Sequence, residues 1–309
     1  METLLSLERR RSILAFMKRV KRLSAYYTTS DSARLYYEVH GDSGPILVFT
    51  NGIACPINHW HNQVEYFSKD YRVLIYDLRG HYKSGNGLIK KITMDLLAHD
   101  VMGIVEQAFG KGESASFWGH SYGVPVSLKV ASLNPKICNS LVLVNGFYKN
   151  PFAEYLTTKQ GVEAVEALKI FSYSAPDFSK WLWANATDSK AFRLISGWVG
   201  GFNTERMPIE DMEIYSKAVA LMHLPSFFNH LKALLRFDFS DEASMIKCPS
   251  LVIHGERDEL ISESQNLELA SMIQKGFYHN MKEGSHCTQL DLPHRFNDLV
   301  SEFLKTRVI

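Results

Sequence analysis

Cysteine is scarce in this chain, with four among 309 residues. Cys55, Cys138, Cys248 and Cys287 stand far apart and form no Cys-x-x-Cys, so neither a zinc ribbon nor a redox pair is signalled. So few thiols exclude a disulfide scaffold and fit a reducing compartment. Long apolar runs are missing as well. No segment approaches the roughly 18–20 apolar residues of a membrane span. The N-terminus also lacks the roughly 7–15-residue apolar stretch of a signal peptide. Charge of one sign does not dominate: 34 Lys and Arg against 33 Asp and Glu leave a formal charge of +1. Nothing global therefore points to nucleic acid or another polyanion. There is no Gly-rich phosphate loop, internal repeat or low-complexity tract. These absences lead us to expect a cytoplasmic protein with a small-molecule substrate, no nucleic-acid partner and no cofactor.

What is present is ordinary globular material, 46% hydrophobic and 22% charged. The length suits one core carrying an insertion. The first 22 residues are unusual. Arg9, Arg10, Arg11, Lys18, Arg19, Lys21 and Arg22 crowd there against Glu2 and Glu8. Ile13, Phe16, Met17 and Val20 share one helical face. A basic amphipathic helix over 1–23 is expected, suited to an anionic membrane surface through residues 1–22 or to packing on the domain.

Short apolar, β-branched stretches then alternate with helical patterns. Ser24–Thr29 and Arg34–His40 read as a hairpin. Ile46–Thr50, Arg72–Tyr76, Ala115–Trp118, Leu141–Asn145, Leu251–His254 and Phe277–Met281 read as strands covered on both faces, as in a parallel sheet. Helical patterns lie near Asn58–Phe67, Thr93–Phe109, Tyr122–Leu133, Glu263–Ile273 and Pro293–Lys305. This alternation implies a doubly wound, mostly parallel α/β sheet. From about Phe147 to Phe237 no strand is evident. We expect a core over 24–147 and 238–309, with a helical cap inserted at 148–237.

Gly119-His120-Ser121-Tyr122-Gly123 matches Gly-x-Ser-x-Gly. Chance alone places such a pentapeptide in roughly one chain in ten of this length, so context decides. A strand ends at it and a helix follows it, the setting of a nucleophile elbow. A serine hydroxyl needs a base to take its proton, and the base needs a carboxylate to orient it. His286 follows the last strand and Asp258 follows the strand Leu251–His254. Both therefore emerge at carboxyl ends of strands, on the edge of the sheet where Ser121 sits. The oxyanion of an acyl-transfer intermediate needs N–H donors. Tyr122 is one candidate. Ile53, in the Asn51-Gly52-Ile53-Ala54 turn after Ile46–Thr50, is the other.

These segments resemble the α/β-hydrolase superfamily, in its cap-bearing esterase/lipase branch. Asn51-Gly52 with Trp60 is similar to the family's His-Gly oxyanion loop and following tryptophan. Tyr76–His81 with Ser84-Gly85 is similar to its Asp-x-Arg-Gly-x-Gly-x-Ser turn. Gly119–Gly123, Leu251–Asp258 and Gly284–His286 match its elbow, acid and histidine segments. The resemblance covers Ser24–Gly146 and Cys248–Leu304 and implies a Ser121–His286–Asp258 hydrolase. There are three departures: Asn51 for a histidine, Tyr82 for a glycine, and Val124 where a further glycine is frequent.

The insertion is aromatic, and Trp181, Trp198, Phe202 and Phe227 are candidates to line an acyl pocket. A medium-chain acyl ester or monoacylglycerol is the substrate class this suggests. Alternatives are lactone or carbon–carbon bond hydrolysis, acyl transfer to another acceptor, or a binding protein that keeps the fold without catalysis. His59 and His61 invite a metal, but no third ligand stands at suitable spacing, so none is expected.

Overall fold

A computed structural model describes residues 21–89, 91–153, 157–189, 201, 203, 205–206 and 208–308. The expected helix over 1–23 lies outside them up to residue 20. Its last three residues are strand, because β1 (Lys21–Thr28) starts at Lys21 and pairs antiparallel with β2 (Arg34–His40) as far as His40. The remaining strands are β3 (Ile46–Thr50), β4 (Arg72–Tyr76), β5 (Ala115–His120), β6 (Cys138–Val144), β7 (Ser250–Gly255) and β8 (Gly276–Met281). They form one eight-stranded sheet in the order β1-β2-β4-β3-β5-β6-β7-β8. Only the pairs involving β2 are antiparallel. From β4 to β8 every pair is parallel.

Side chains alternate across a strand, so a sheet covered on both faces needs apolar residues at every position. β3 shows this: Leu47 and Phe49 enter one core, Ile46 and Val48 the other. The first core packs under α1 (His61–Phe67) and α10 (Pro293–Phe303), through Trp60, Val64, Phe67, Phe296 and Val300. The second packs under α2 (Met94–Phe109) and α3 (Gly123–Leu133), through Leu97, Val101, Val126 and Val130. α8 (Glu263–Met272) and the single turn α9 (Thr288–Asp291) complete the core elements. The helix expected from Asn58 begins instead as a 3-10 turn, Ile57–Trp60, after Pro56.

Between β6 and β7 the described residues form α4 (Thr158–Ser174), α5 (Pro176–Thr187), α6 (Ile209–Ala220) and α7 (Leu224–Leu235), with no strand among them. Val219 and Met222 of this segment pack on Ala54, in the turn after β3. Met212 packs on Cys287 and Leu290. The inserted helices thus touch the loops at the carboxyl edge of the sheet.

Candidate active site

β5 runs two residues further than its apolar pattern and stops at His120, so the chain must reverse within Ser121 and Tyr122 to enter α3. Ser121 accordingly adopts φ +53°, a left-handed conformation that is costly for a residue with a Cβ. Ser121 N–H donates to Val144 O at 2.9 Å and Val124 N–H to Ser121 O at 3.0 Å. The flanking glycines are needed for close approach. A Cβ on Gly119 would stand 2.4 Å from Gly123 O, and one on Gly123 would stand 2.4 Å from Thr50 O. His120 and Tyr122 are buried while Ser121 is half-buried, so the serine is the member of the turn offered to the outside.

Asp258 and His286 meet as their sequence positions imply. His286 Nδ1–H donates to Asp258 Oδ2 at 2.8 Å, with the carboxylate fully buried and the imidazole 11% exposed. The other oxygen, Oδ1, accepts from Leu260 N at 2.9 Å and Ile261 N at 3.1 Å. With Nδ1 donating, a neutral His286 carries its lone pair on Nε2, the form a base needs.

Asn145, which the sequence pattern leaves as the last residue of a strand, lies just past β6 at φ +46°. Its Nδ2 donates to Ser285 O (2.9 Å), His286 O (2.8 Å) and Thr288 Oγ1 (3.0 Å), and its Oδ1 accepts from Gly255 N (2.6 Å). One buried amide thereby ties the acid-bearing end of β7 to the histidine loop. The only hint in the sequence is an asparagine closing an apolar strand, a residue that tolerates left-handed backbone.

The turn after β3 lies against the serine. A Cβ on Gly52 would stand 3.4 Å from Ser121 Cβ. The turn closes through Cys55 N–H to Gly52 O at 3.2 Å, and among the described residues neither Ile53 N–H nor Tyr122 N–H donates to another backbone group. The Tyr122 side chain points into the core. Its hydroxyl donates to His230 Nδ1 at 3.0 Å, and His230 Nε2–H donates to Arg79 O at 2.8 Å.

The departures from the family pattern have physical explanations. Tyr82 adopts φ +40° where a glycine is usual, and its hydroxyl donates to Ala54 O at 2.5 Å. His81, which burial pushes down to about 4, is neutral and accepts from Ala54 N at 3.1 Å. Together they clamp the turn that carries Ile53. Asn51 donates to Pro56 O at 3.3 Å within the same turn. Val124 fills space left by Gly146, where an added Cβ would stand 2.2 Å from a Val124 methyl. Arg79 is buried and reaches Asp100 through two bonds of 2.7 and 2.6 Å and Asp31 through a third of 2.7 Å.

Of the residues named as acyl-pocket candidates, Trp198 and Phe202 lie outside the described residues. Trp181 is 59% exposed on α5 and stacks on Phe178. Phe227 packs on Trp183 with ring centroids 5.0 Å apart, in the cluster that includes Ala54. Trp183 therefore stands nearer the turn after β3 than Trp181 does. His61 does not pair with His59; its Nδ1 lies 3.1 Å from Asn58 O. His59 instead faces His120, with ring centroids 4.8 Å apart, and a sulfur of Cys55 joins them. Cys55 and His59 are four residues apart, but His120, far along the chain, gave no spacing signal.

The family described as the alpha/beta hydrolase fold matches residues 45–293. The chain is 26% identical over 288 residues to "Putative carbamate hydrolase RutD" of Rhizobium rhizogenes, covering 88% of this chain and 98% of that protein. It is 24% identical over 292 residues to epoxide hydrolase 4 of Mus musculus, covering 91% and 79%. Among solved structures, the enol-lactonase from Burkholderia xenovorans LB400 superposes with a TM-score of 0.74 at 23% identity, covering 91% of this chain and 99% of that one. The strand order, the serine turn after β5 and this match together make the chain a member of the alpha/beta hydrolase fold family.

Proposed function

We propose that the protein is a serine hydrolase that cleaves a carboxylic ester through an acyl-enzyme formed on Ser121. The observation that carries this reading is the 2.8 Å bond from His286 Nδ1 to the buried Asp258 carboxylate, with the His286 ring centroid 4.9 Å from that of His120, the residue before a serine held at φ +53° in a strand-to-helix turn. His286 Nε2 takes the Ser121 proton as the hydroxyl attacks the acyl carbonyl. Asp258 holds the tautomer and stabilises the imidazolium. The N–H groups of Ile53 and Tyr122 receive the developing oxyanion. His286 then protonates the leaving alcohol, and water repeats the sequence on the acyl-enzyme. A serine at the elbow argues against the aspartyl-ester chemistry of epoxide opening, despite the similarity to an epoxide hydrolase.

The inserted helices act as the cap of this site, since Val219, Met222 and Phe227 pack on the turn beside Ser121. Their apolar surface favours a medium-chain acyl group or a monoacylglycerol. A second reading, hydrolysis of a lactone, draws support from the enol-lactonase likeness and uses the same residues. Labelling with a fluorophosphonate and turnover of p-nitrophenyl esters test the proposal. Ser121→Ala should abolish both while the melting transition stays; full labelling of the variant would sink it.

A further inference from the structure

One cluster beside Ser121 has no part in the reaction above. Cys55 follows the turn after β3, His59 lies in the 3-10 turn, and His120 ends β5. The thiol sulfur and one nitrogen of each ring lie within 4.8 Å of one another. Exposures are 4%, 4% and 1%, so all three are withdrawn from solvent. The proton positions follow from their partners. His120 Nε2–H donates to His286 O at 2.7 Å, which leaves the lone pair on Nδ1. That buried atom has no hydrogen-bond partner. The missing Cβ of Gly52 keeps the space between them open, since it would stand 3.1 Å from both Cys55 Sγ and His120 Nδ1.

Both rings are in the ligand form. Burial pushes His59 down to about 3 and holds His120 well below the usual imidazole range. His120 also has the outer bond typical of a metal-bound histidine, its second N–H given to a backbone carbonyl. His59 Nε2 is 2.7 Å from the Gln289 amide, whose Oε1 has no partner as oriented. Turning that amide over lets Oε1 accept from His59 Nε2–H and frees His59 Nδ1, an orientation that heavy-atom positions do not distinguish. Cys55 works against a bare anion, because burial pushes its thiol up to about 12. A coordinated cation reverses this by taking the thiolate outright. A hydrogen-bonded polar cluster accounts for Cys55, bonded to Tyr215, and for His59, but not for His120 Nδ1.

We propose that Cys55, His59 and His120 form a binding site for a thiophilic divalent cation, Zn²⁺ foremost, whose loading inhibits the Ser121 site. Two imidazoles and a thiolate leave a fourth position for water. The thiol proton passes to solvent, so the ion enters with one charge neutralised. A cleft lined by Pro56, Asn58, His61, Tyr215 and Leu290 reaches His59 and gives the ion its path. Zinc bond lengths of about 2.0–2.3 Å demand ligand atoms roughly 3.3–3.7 Å apart, so separations that reach up to 4.8 Å must contract. Contraction drags the turn that carries Ile53, through Cys55, and the His286 carbonyl, through His120 Nε2. Inhibition rests on Ser121 being the nucleophile; binding does not.

The test uses the full chain with Co²⁺ and Zn²⁺. One equivalent of Co²⁺ should give a thiolate-to-cobalt charge-transfer band and intense tetrahedral visible absorption, both erased by Zn²⁺. Cys55→Ser should lose the charge-transfer band, His59→Gln should bind at least tenfold more weakly, and Cys248→Ser should keep the full spectrum. His59→Gln decides the point if Cys55→Ser fails to fold. Zn²⁺ should slow fluorophosphonate labelling at least tenfold, EDTA should restore it, and Cys55→Ser should be insensitive. No thiolate band, a band surviving in Cys55→Ser, or a band lost in Cys248→Ser overturns the site. Zinc that binds without slowing labelling overturns inhibition. Absence of labelling in metal-free protein refutes the nucleophile instead, and the cobalt spectrum alone then judges the site.

Discussion

Asn145→Ala removes a clamp that no other residue can replace. The amide shares its two hydrogens among three acceptors, Ser285 O, His286 O and Thr288 Oγ1, and receives one bond from Gly255 N–H. The two N–H bonds are worth about 1 kcal/mol each net; Ser285 O and His286 O keep donors in Thr288 Oγ1–H and His120 Nε2–H, so the buried partner left unpaired is Gly255 N–H, at a cost of about 1–3 kcal/mol. Alanine also bears the φ of +46° less readily than asparagine, adding about 1 kcal/mol. The sum is roughly 4–6 kcal/mol, in the tail of single substitutions. At roughly 2–4 °C per kcal/mol for a large domain, the melting temperature should fall by about 10–20 °C. Asn145→Asp sharpens the reasoning. It keeps the acceptor for Gly255 N–H and tolerates the backbone, but it aims a second oxygen at three oxygens. Protonation restores a donor, so the folded-state pKa must rise above the ordinary value near about 3.9. A raised acid pKa contributes stability that is present below the unfolded value and lost as pH rises through the folded one. Melts of wild type and both variants from pH 4 to 8 read this out. The Asp deficit should shrink on acidification while the Ala deficit stays level. An Ala variant within 1 kcal/mol of wild type, or an Asp deficit independent of pH, would refute the clamp.

Asp77 offers a second pH test. It is buried, with Oδ1 unpartnered, and burial pushes its pKa from 3.8 up to about 7. Stability linked to Asp77 is therefore present below about pH 4 and lost towards pH 7, by up to roughly 4 kcal/mol at 1.36 kcal/mol per unit. Subtracting the stability of Asp77→Asn from that of wild type should leave a difference that falls between about pH 4 and 7; a flat or rising difference contradicts the burial argument. In ester assays, kcat/KM should climb several-fold per methylene until the pocket is full, since each buried methylene is worth about 0.8 kcal/mol. Trp183→Ala should shift the preferred length; equal rates on acetate and octanoate in both proteins would mean that the inserted helices do not read the acyl group. Deleting residues 1–20 should reduce binding to anionic vesicles and spare a soluble ester. Unchanged vesicle binding would dismiss the basic segment as a membrane contact.

The parts of this molecule set by local pattern were legible. β3 and β4 fall on their apolar stretches because both faces of the sheet are covered there, and hydrophobic continuity then marks the strand. Ser121, Asp258 and His286 stand one, three and five residues past strand ends, and the parallel topology brings those ends to one edge. Contacts between distant segments were not legible. Asn145 carries no motif, and its importance lies in the four atoms around it. The approach of His59 to His120 depends on the path of the turn after β3. The exposure of Trp181 against the partial burial of Trp183 depends on how α5 is rotated, which a helix aromatic along its length does not announce.

The close fit of Val124 against Gly146 has a consequence for how this protein can change. A methyl added at 146 collides with the isopropyl group at 124, so Gly146→Ala alone should fail. Val124→Gly alone opens a void and loosens the first turn of the helix behind the serine. Made together, the collision is gone and the methyl at 146 refills part of the void left at 124. A library that alters one position at a time would score both sites as intolerant, while a pairwise library would find a passage between them. Here the steric volume that shapes the elbow belongs to the pair of positions, and the two are free to vary only in step.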